Sequence, residues 1–361
     1  MHKSVVKRFG ILTSGGDCPG LNAAIRGVAR TAIEQYGMQV IGIEQGYRGL
    51  IEKKYHELTP ADLTGLLARG GTILGTSREK PFKTVEKNPE TGLTAVESIK
   101  KNYKELGLDA LVVLGGNGTL TTASLLKKEG LNVIGLPKTI DNDLPLTDVT
   151  FGFHTAVSVA TESIDRLHST AHSHNRVMVI EVMGHKAGWL GLYSGIAGGG
   201  DIILIPEIPY KISSIAEHVQ KRVNSGHPFS IVVVAEGALS EKEALLDKKV
   251  LKKKRAEMRY SIAYRVAKEI EAATNVESRV TVLGYLQRGG TPVPYDRVLA
   301  TQFGTKAAHM LADGEFGRMV AMQNGIITSV PLEDVAGEIK KVPLDHPLLI
   351  SGREVGTCFG D

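Results

Sequence analysis

The hydrophobic positions of this chain fall into short apolar runs, rich in β-branched residues, that alternate with amphipathic stretches of helical length. Such runs predict buried strands of a parallel sheet, and the amphipathic periodicity between them predicts the helices that cover it. We predict strands at residues 6–12, 110–114, 133–136, 177–182, 202–205, 231–235 and 279–283. Helices are predicted at residues 21–36, 119–128, 155–168, 212–223, 261–273 and 295–312. The chain is therefore expected to have an α/β fold.

The order of these elements bears on the number of domains. A length of 361 residues corresponds to two domains or one large one. The first series of strand–helix units ends near residue 137, where we place a boundary, and the second half repeats the same alternation. No repeat of fixed period is present in the sequence, which excludes solenoids and propellers.

Composition and charge narrow the function classes. Apolar residues make up 42% of the chain and charged residues 23%, as in an ordinary globular protein. The formal charge of +4 is too small to predict nucleic acid as a partner, so any anion site must be a local cluster. The sequence has no apolar signal core and no uncharged apolar run of about 18 residues, so we expect no membrane partner. Two cysteines without metal-ligand spacing, Cys18 and Cys358, indicate a reducing compartment and a cytoplasmic protein.

One segment, residues 247–259, is strongly basic, because seven of its thirteen residues are Lys or Arg. Such a run can bind RNA, but RNA-binding surfaces interleave aromatic side chains with the cations, and this run contains none. We interpret it as a solvated helix face or a surface loop.

Two glycine-rich turns follow predicted strands and precede predicted helices: TSGGDCPG at residues 13–20 and LGGNGT at residues 114–119. Glycines let a ligand approach the backbone, and the next helix offers free N–H groups and the positive end of its dipole to an anion. Gly15, Gly16 and Gly20 have this place in the first turn. Neither turn is a complete dinucleotide or P-loop motif, and one alone is equally compatible with tight packing. Two in one α/β unit favour a polyphosphate ligand.

The segment PKTIDND, residues 137–143, follows a predicted strand at the place where open α/β sheets bind ligands. Phosphoryl transfer needs one carboxylate to accept the proton of the attacking hydroxyl and another to help hold Mg²⁺ beside the donor phosphates. Asp141 and Asp143 suit these tasks, and Thr139 lies beside them. The alternative is that Asp141 and Asn142 only shape and cap a turn.

Three arginines at the ends of predicted strands, Arg176, Arg279 and Arg288, suit forked binding of a substrate phosphate, although lone arginines are usually solvated. The histidines lack closed metal-ligand spacing and the sequence has no GxSxG, so zinc and serine-hydrolase chemistry are not expected. Cys18 has no evident partner base, and we do not expect it to be a nucleophile.

These segments together resemble those of the 6-phosphofructokinases. Six stretches carry the resemblance, in the family's order and across nearly the whole chain: GILTSGGDCPGLNAAIRG, LGGNGT, GLPKTIDND, EVMGH, AEG and TVLGYLQRGGTPVPYDR. The resemblance implies two Rossmann-like lobes with mainly parallel sheets flanked by helices. It also implies a glycolytic phosphotransferase that acts on the 1-hydroxyl of fructose 6-phosphate with Mg²⁺ as cofactor. The expected assembly is a homotetramer or homodimer whose sugar-phosphate site lies at a subunit interface.

The resemblance assigns roles to lobes and residues. Residues 1–137 are expected to bind the phosphoryl donor, residues 138–305 to bind fructose 6-phosphate, and residues 306–361 to pack back on the first lobe. On the acceptor side the matching residues are Thr139, Ile140, Asp141, Met183, Gly184, His185, Glu236, Tyr285 and Arg288, with Arg176 and Arg279 from the neighbouring subunit. Asp141 is expected to be the catalytic base, with Thr139 and Arg176 also in catalysis. On the donor side the matching residues are Gly15, Tyr47, Arg78, Gly116, Asn117, Gly118 and Thr119, with Lys138 between donor and acceptor.

The chain departs from the family pattern at three of these positions. Asn117 stands where the family has an aspartate near the metal, so we expect weaker Mg²⁺ binding, with Asn117 and Asp143 as the metal ligands. His185 replaces an arginine and Tyr285 a histidine of the ATP enzymes, as in the mixed-substrate branch that uses ATP or pyrophosphate.

The identity of the donor depends on two residues. Pyrophosphate-dependent relatives carry aspartate at the position of Gly118 and lysine at that of Lys138, whereas ATP enzymes carry glycine at both. Because a steric and charge block is hard to evade and an extra lysine is easy to accommodate, Gly118 favours ATP. The alternatives are a pyrophosphate-dependent enzyme and a catalytically weak regulator that binds the same ligands. An NAD or lipid kinase shares the second turn but does not explain QRGG or PKTIDND.

Overall fold

The computed structural model describes residues 3–257 and 260–361. Its strands are β1 (Arg8–Thr13), β2 (Gln39–Ile43), β3 (Tyr55–Glu57), β4 (Ala110–Gly115), β5 (Val133–Pro137), β6 (Val177–Val182), β7 (Ile202–Leu204), β8 (Ser230–Ala235), β9 (Ser278–Val282), β10 (Arg318–Gln323) and β11 (Ile326–Pro331). Its α-helices are α1 (Leu21–Tyr36), α2 (Tyr47–Glu52), α3 (Ala95–Glu105), α4 (Asn117–Lys128), α5 (Phe153–His174), α6 (Trp189–Ala197), α7 (Ile212–Asn224), α8 (Glu241–Ala244), α9 (Lys248–Ala256), α10 (Ile262–Thr274), α11 (Pro294–Asp313), α12 (Leu332–Val335) and α13 (Pro347–Glu354). Short 3₁₀ helices span Leu66–Ala68 and Gly284–Arg288.

The first compact unit holds a seven-stranded sheet in the order β11-β10-β5-β4-β1-β2-β3. It comprises residues 3–140, 144–155 and 288–339. The five inner strands are parallel, and β3 and β11 pair antiparallel at the two edges. The central strands β1 and β4 are apolar on both faces and almost wholly buried, because helices cover both sides of a parallel sheet.

The return of residues 288–339 to this unit follows from the packing of α11 along α1. A Cβ atom at Gly27 would lie 2.9 Å from the carbonyl oxygen of Thr301, and one at Gly304 would lie 2.7 Å from that of Ala24. Only glycine allows two helix backbones to approach this closely. Residues 288–305, which the sequence placed with the second lobe, therefore belong to the first unit.

The second compact unit holds a four-stranded parallel sheet in the order β7-β8-β6-β9. Its described residues are 141–143, 156–257, 260–287 and 340–361. The C-terminus adds to the edge of this sheet: Ile203 donates its N–H to the carbonyl oxygen of Cys358 at 2.9 Å, and Cys358 donates to that of Asp201 at 3.0 Å. This pairing corrects the expected packing of residues 306–361 as one segment, because residues 340–361 lie in the second unit.

The α/β class and the parallel sheets are confirmed, with small shifts at the ends of elements. Helix α1 has the predicted bounds, and Gly37 ends it at φ 66°, a left-handed conformation that glycine adopts without strain. Helix α4 begins at Asn117, two residues earlier than predicted, so that the second half of the second glycine turn is helical. Within the described part of the chain, no helix is long and apolar enough to cross a membrane.

The basic run forms α9, which Asp247 caps by accepting the N–H of Lys249 at 2.7 Å. The side chains of Lys252, Lys253 and Lys254 are exposed, as the interpretation of a solvated helix face requires. Arg255 differs, because it is half-buried. The last two residues of the run, 258 and 259, lie outside the described residues.

Candidate active site

In the first unit, the predicted donor-side segments meet at one edge of the sheet. Strands β5, β4 and β1 are parallel neighbours, so the segments that follow their carboxyl ends emerge side by side. Main-chain hydrogen bonds join them: the N–H of Ser14 donates to Leu114 at 3.0 Å, and that of Lys138 donates to Gly115 at 3.1 Å. The two glycine turns and residues 138–140 therefore lie together, as the sequence predicts.

Gly15 occupies the centre of this edge. Its φ of 87° lies in the left-handed region, which favours glycine over any residue with a Cβ. A Cβ atom at this position would lie 3.6 Å from Oγ1 of Thr119 and 3.7 Å from Nζ of Lys138. The Thr119 hydroxyl in turn donates to the carbonyl oxygen of Ser14 at 3.2 Å. The first turn thus lies against the first helical turn of α4 and against a lysine.

The N-terminus of α4 is suited to an anion. Gly116 precedes the helix in an extended conformation, and no side chain caps the helix, which leaves its first N–H groups available to a ligand. Gly118, in the first turn of α4, is exposed, and a Cβ atom there would meet nothing within 4 Å. The position whose side chain was expected to decide the donor therefore faces open space.

Two cations hold the first glycine turn. The ammonium group of Lys138, which is almost fully buried, donates to the carbonyl oxygen of Gly16. The guanidinium of Arg288 donates from Nη1 to the carbonyl oxygen of Asp17 at 3.1 Å. Arg288 was assigned to the sugar phosphate, yet in this unit it lies against the donor-side turn. Both charges favour a bound phosphate at this edge.

A third cation lies on a neighbouring loop. Arg78 is exposed, and the loop that carries it is tied to the turn, because Gly15 donates its N–H to the carbonyl oxygen of Ser77 at 2.9 Å. The hydroxyl of Thr76 also donates to the carbonyl oxygen of Gly15 at 2.7 Å. The placement of Arg78 is thus compatible with its predicted role on the donor side.

Three of the predicted residues are buried. Tyr47 is fully buried, and its hydroxyl donates to the main-chain oxygen of Thr119 at 3.0 Å, so it supports α4 from inside the core. Ile140 is also fully buried, which leaves only its main chain for a substrate. Thr139 is 9% exposed, and its carbonyl oxygen accepts the hydroxyl of Thr150 at 2.7 Å.

In the second unit, the Asp141–Asp143 segment is held by a residue that the sequence did not single out. Lys340 donates from Nζ to the side-chain oxygen of Asn142 at 3.1 Å, and its N–H donates to the carbonyl oxygen of Asp143 at 2.8 Å. The ammonium also lies 5.5 Å from the centre of the Trp189 ring, whose Nε1 donates to the carbonyl oxygen of Lys340 at 2.8 Å. Lys340 therefore orients the segment that carries the predicted base.

The predicted acceptor-side residues follow the carboxyl ends of strands in the second sheet. Met183, Gly184 and His185 follow β6, and Glu236 follows β8. The N–H of Glu236 donates to Val182 at 2.9 Å, so the two loops are joined at their bases. His185 and Glu236 line a cavity of about 190 Å³.

A buried carboxylate also lines this cavity. Burial raises the pKa of Glu181, and the nearby carboxylate of Glu236 raises it further. Its Oε2 accepts the N–H of Ala263 in the first turn of α10 at 3.0 Å, which opposes the rise. The cavity is thus bordered by a carboxyl group that holds its proton more tightly than an exposed glutamate.

A second residue missed from the sequence, Gln287, joins a third loop to this group. Its side chain is fully buried, accepts the N–H of Met183 at 3.1 Å, and donates to the carbonyl oxygen of Gly284 at 3.1 Å. Tyr285, which follows β9, is 77% exposed beside it. The loops after β6, β8 and β9, which carry the residues predicted to bind the sugar phosphate, are therefore joined to one another.

Arg176 and Arg279 lie near the opposite ends of the strands of the same sheet, away from these loops. Arg176 precedes β6 and Arg279 is the second residue of β9, at the amino ends of these parallel strands. The six residues of β6 span about 20 Å, which separates Arg176 from the loops at the carboxyl ends, and Arg279, in register with Met178, lies about 13 Å from Val182 along the strand. Both guanidinium groups contact the carboxylate of Glu277, and the hydrogen bond from Arg176 lowers the pKa of that carboxylate.

The side chains that could serve as metal ligands are compatible with Mg²⁺. In the described part of the chain, no three His, Cys, Asp or Glu side chains converge as a metal cluster. Mg²⁺ is usually bound through one or two carboxylates together with substrate phosphates, so a full protein cage is not required. Asp143 supplies a carboxylate. Asn117 donates its side-chain nitrogen to the carbonyl oxygen of Glu338, which leaves its amide oxygen for a ligand.

Cys18 has no catalytic character. It is fully buried, and burial raises the pKa of its thiol to about 12. Its sulfur lies 3.5 Å from the carbonyl oxygen of Phe151 as a weak donor. A thiol with so little thiolate at neutral pH is a packing group of the first turn.

Comparison with known proteins identifies the family. The Phosphofructokinase family model matches residues 8–311. The chain is 64% identical to an ATP-dependent 6-phosphofructokinase of Spirochaeta thermophila over 364 residues, which cover all of both proteins. It is 55% identical to ATP-dependent 6-phosphofructokinase 3 of Bacteroides thetaiotaomicron, over 98% of this chain and 100% of that protein. A solved structure of phosphofructokinase from Saccharomyces cerevisiae superposes with a TM-score of 0.78 at 33% identity, over 91% of this chain and 45% of the yeast chain. The chain belongs to the phosphofructokinase family.

Proposed function

We propose that the chain is an ATP-dependent 6-phosphofructokinase, which transfers the γ-phosphoryl group of ATP to the 1-hydroxyl of fructose 6-phosphate. The products are fructose 1,6-bisphosphate and ADP. The observation that carries the proposal is the anion-binding edge of the first unit, where the uncapped start of α4 adjoins a glycine turn held by Lys138 and Arg288. The names of the two full-length relatives agree with it.

The open space at Gly118 supports ATP as the donor. A nucleotide extends beyond its terminal phosphates, and the exposed glycine leaves that direction clear. A larger or charged side chain there would crowd and repel the α-phosphate. Lys138, already engaged with the first turn, supplies a cation that suits pyrophosphate as well, so a pyrophosphate-dependent reaction is the second candidate.

Asp141 is proposed as the general base that accepts the proton of the attacking 1-hydroxyl, while the oxygen forms its bond to the γ-phosphorus and ADP leaves. Lys340 and Asn142 hold its segment. Thr139 and Arg176 are proposed to assist. Mg²⁺, for which Asp143 offers a carboxylate and Asn117 an amide oxygen, would offset charge on the donor phosphates when bound.

The placement of the two remaining arginines supports an oligomeric enzyme. Arg176 and Arg279 lie near the amino ends of their strands, whereas Glu236 follows the carboxyl end of β8, so a sugar phosphate held beside Glu236 would be distant from the pair in the same subunit. We propose that the pair serves the sugar-phosphate site of a neighbouring copy, in a homotetramer or homodimer. Met183, Gly184, His185, Glu236 and Tyr285 would then act from within the subunit.

The two units are proposed to divide the work. The first would bind the donor and the second fructose 6-phosphate, in a cytoplasmic glycolytic enzyme. ³¹P NMR of the purified chain with ATP, Mg²⁺ and fructose 6-phosphate tests the proposal. We expect equal amounts of ADP and fructose 1,6-bisphosphate. Inorganic phosphate in place of the bisphosphate would reject the kinase. No turnover with ATP would reject it as well, and a repeat with pyrophosphate would then separate a pyrophosphate-dependent enzyme, which forms the bisphosphate, from a ligand-binding regulator, which does not.

A further inference from the structure

Helix α9 contains most of the basic run. One of its cations, Arg255, contacts the loop that follows β8 and begins at Glu236. Arg255 donates from Nη2 to the carbonyl oxygen of Ala238 at 2.6 Å and to that of Gly237 at 3.4 Å. It also lines the cavity of about 190 Å³ that His185 and Glu236 border. One guanidinium therefore contacts two consecutive peptide groups directly after Glu236.

The other side of the same loop is fixed by main-chain contacts. Gly237 donates its N–H to the carbonyl oxygen of Gly184 at 3.2 Å. A Cβ atom on Gly237 would lie 2.2 Å from the carbonyl oxygen of His185, so the two loops touch through their backbones. The Gly237 residue is thus held between the Gly184 loop on one side and Arg255 on the other. A shift of this loop would move both groups of acceptor-side residues.

The segment that leads to Arg255 has a separate anchor. Both carboxylate oxygens of Glu243, whose side chain is 1% exposed, accept hydrogen bonds from Arg265 at 2.6 and 2.7 Å. Ser240 forms a capping box with Glu243 at the start of α8. These contacts hold the segment at α8 through Arg265 and Ser240 and do not involve the hydrogen bonds of Arg255.

We propose that Arg255 is a positioning residue of the acceptor site: through the carbonyl groups of Gly237 and Ala238 it fixes the loop that presents Glu236 to the sugar phosphate. This inference rests on the proposed function. It gives one residue of the basic run a role, and leaves Lys252 and Lys253 as solvent-facing charges.

The test compares three variants by steady-state kinetics: Arg255→Ala, Arg255→Lys and Lys253→Ala. The exposed Lys253 is the matched control, because its replacement removes the same charge from the same helix. We expect Arg255→Ala to raise the KM for fructose 6-phosphate about tenfold, since it removes charge-assisted hydrogen bonds from two carbonyl groups. The KM for ATP and the Tm should stay near the wild-type values, and Lys253→Ala should behave as wild type. Arg255→Lys, which keeps one donor, should recover part of the loss.

Two results would overturn the inference. One is an equal KM for fructose 6-phosphate in Arg255→Ala and Lys253→Ala. The other is a rise in both KM values together with a lower Tm, which a merely structural role would produce. If Arg255→Ala does not fold, Arg255→Lys decides alone: a wild-type KM for fructose 6-phosphate would contradict the proposal, and a raised one at unchanged ATP KM would support it. A wild-type chain that does not phosphorylate fructose 6-phosphate overturns the proposed function, and this inference with it.

Discussion

Replacement of Gly118 by aspartate tests the choice of donor. The residue lies in the first turn of α4, is exposed, and has a φ that other residues adopt. A Cβ atom there meets nothing within 4 Å, so the aspartate side chain fits without displacing a neighbour. A carboxylate in the first turn of a helix also interacts favourably with the dipole, by about 0.3–1 kcal/mol. The free energy of unfolding should therefore stay the same or rise slightly.

The effect on the donor should be large. A phosphate bound by the first N–H groups of α4 would lie about 6 Å from the new carboxylate, where two like unit charges repel by about 3 kcal/mol at an effective dielectric constant of about 20. That repulsion corresponds to a loss of about a hundredfold in kcat/KM. Pyrophosphate, which ends before the α-phosphate position, should lose less than ATP does.

Initial rates measured with each donor and an aldolase-coupled readout give the result. We expect Gly118→Asp to lower kcat/KM for ATP about a hundredfold and to raise the ratio of pyrophosphate-supported to ATP-supported rates. Gly118→Asn is the matched control, because it adds the same bulk without the charge and should lose less with ATP. An unchanged ratio of the two donor rates in Gly118→Asp, with Tm maintained, would refute the placement of the donor at α4.

Three further predictions concern the second unit. Asp141→Asn should lower kcat by a factor of about 10²–10⁴ with little change in the KM for ATP, because it removes the proposed base, and single-turnover kinetics would locate the loss in the chemical step. Lys340→Met should lower kcat about tenfold, because it loosens the segment that carries Asp141. The same change at the exposed neighbour, Lys341→Met, should leave kcat unchanged, and equal rates in the two variants would exclude the role of Lys340. Burial opposes ionisation of Glu243, but the hydrogen bonds and charge of Arg265 lower its pKa below the ordinary 4.5. The ionised carboxylate therefore stabilises the fold above pH 4.5, and this contribution is lost as the pH falls through the lowered pKa. Glu243→Gln should accordingly reduce the free energy of unfolding by about 3 kcal/mol at pH 7, and denaturant titrations in acid should find a smaller difference from wild type.

The elements that sequence predicts best are those with a strong local period and a marked end. Helix α1 is amphipathic and is followed by Gly37, and both of its bounds are correct. Helix α6 is not predicted, because it contains two glycines and is buried on most sides, which removes the amphipathic pattern. Helix α3 carries a different signal, a capping box in which Thr94 and Glu97 bond each other's main-chain N–H groups.

The residues of the candidate site also differ in how far the sequence predicts them. Within each unit, the motif residues lie near one another because each motif follows a strand, and parallel strands bring their carboxyl ends together. Residues that act through tertiary contacts were missed. Nothing near Lys340 in the sequence indicates that it holds Asn142, and the QRGG motif that contains Gln287 does not indicate that its side chain binds the main chain of Met183. Tyr47 shows the limit of matching by position, because burial gives its side chain a supporting role.

The positions of Arg176 and Arg279, away from the other predicted acceptor-side residues, could not be predicted from the order of residues in the sequence. Strand direction puts them at the amino ends of β6 and β9, and Glu277 contacts both. The assignment of the pair to a neighbouring subunit stays a prediction.

That ATP is the phosphoryl donor can be tested by the ratio of initial rates with ATP and with pyrophosphate, at matched Mg²⁺ and saturating fructose 6-phosphate. We expect a faster reaction with ATP, because the space beside Gly118 is open to a nucleotide. A faster reaction with pyrophosphate would contradict it and would make Lys138, not Gly118, the residue that decides the donor.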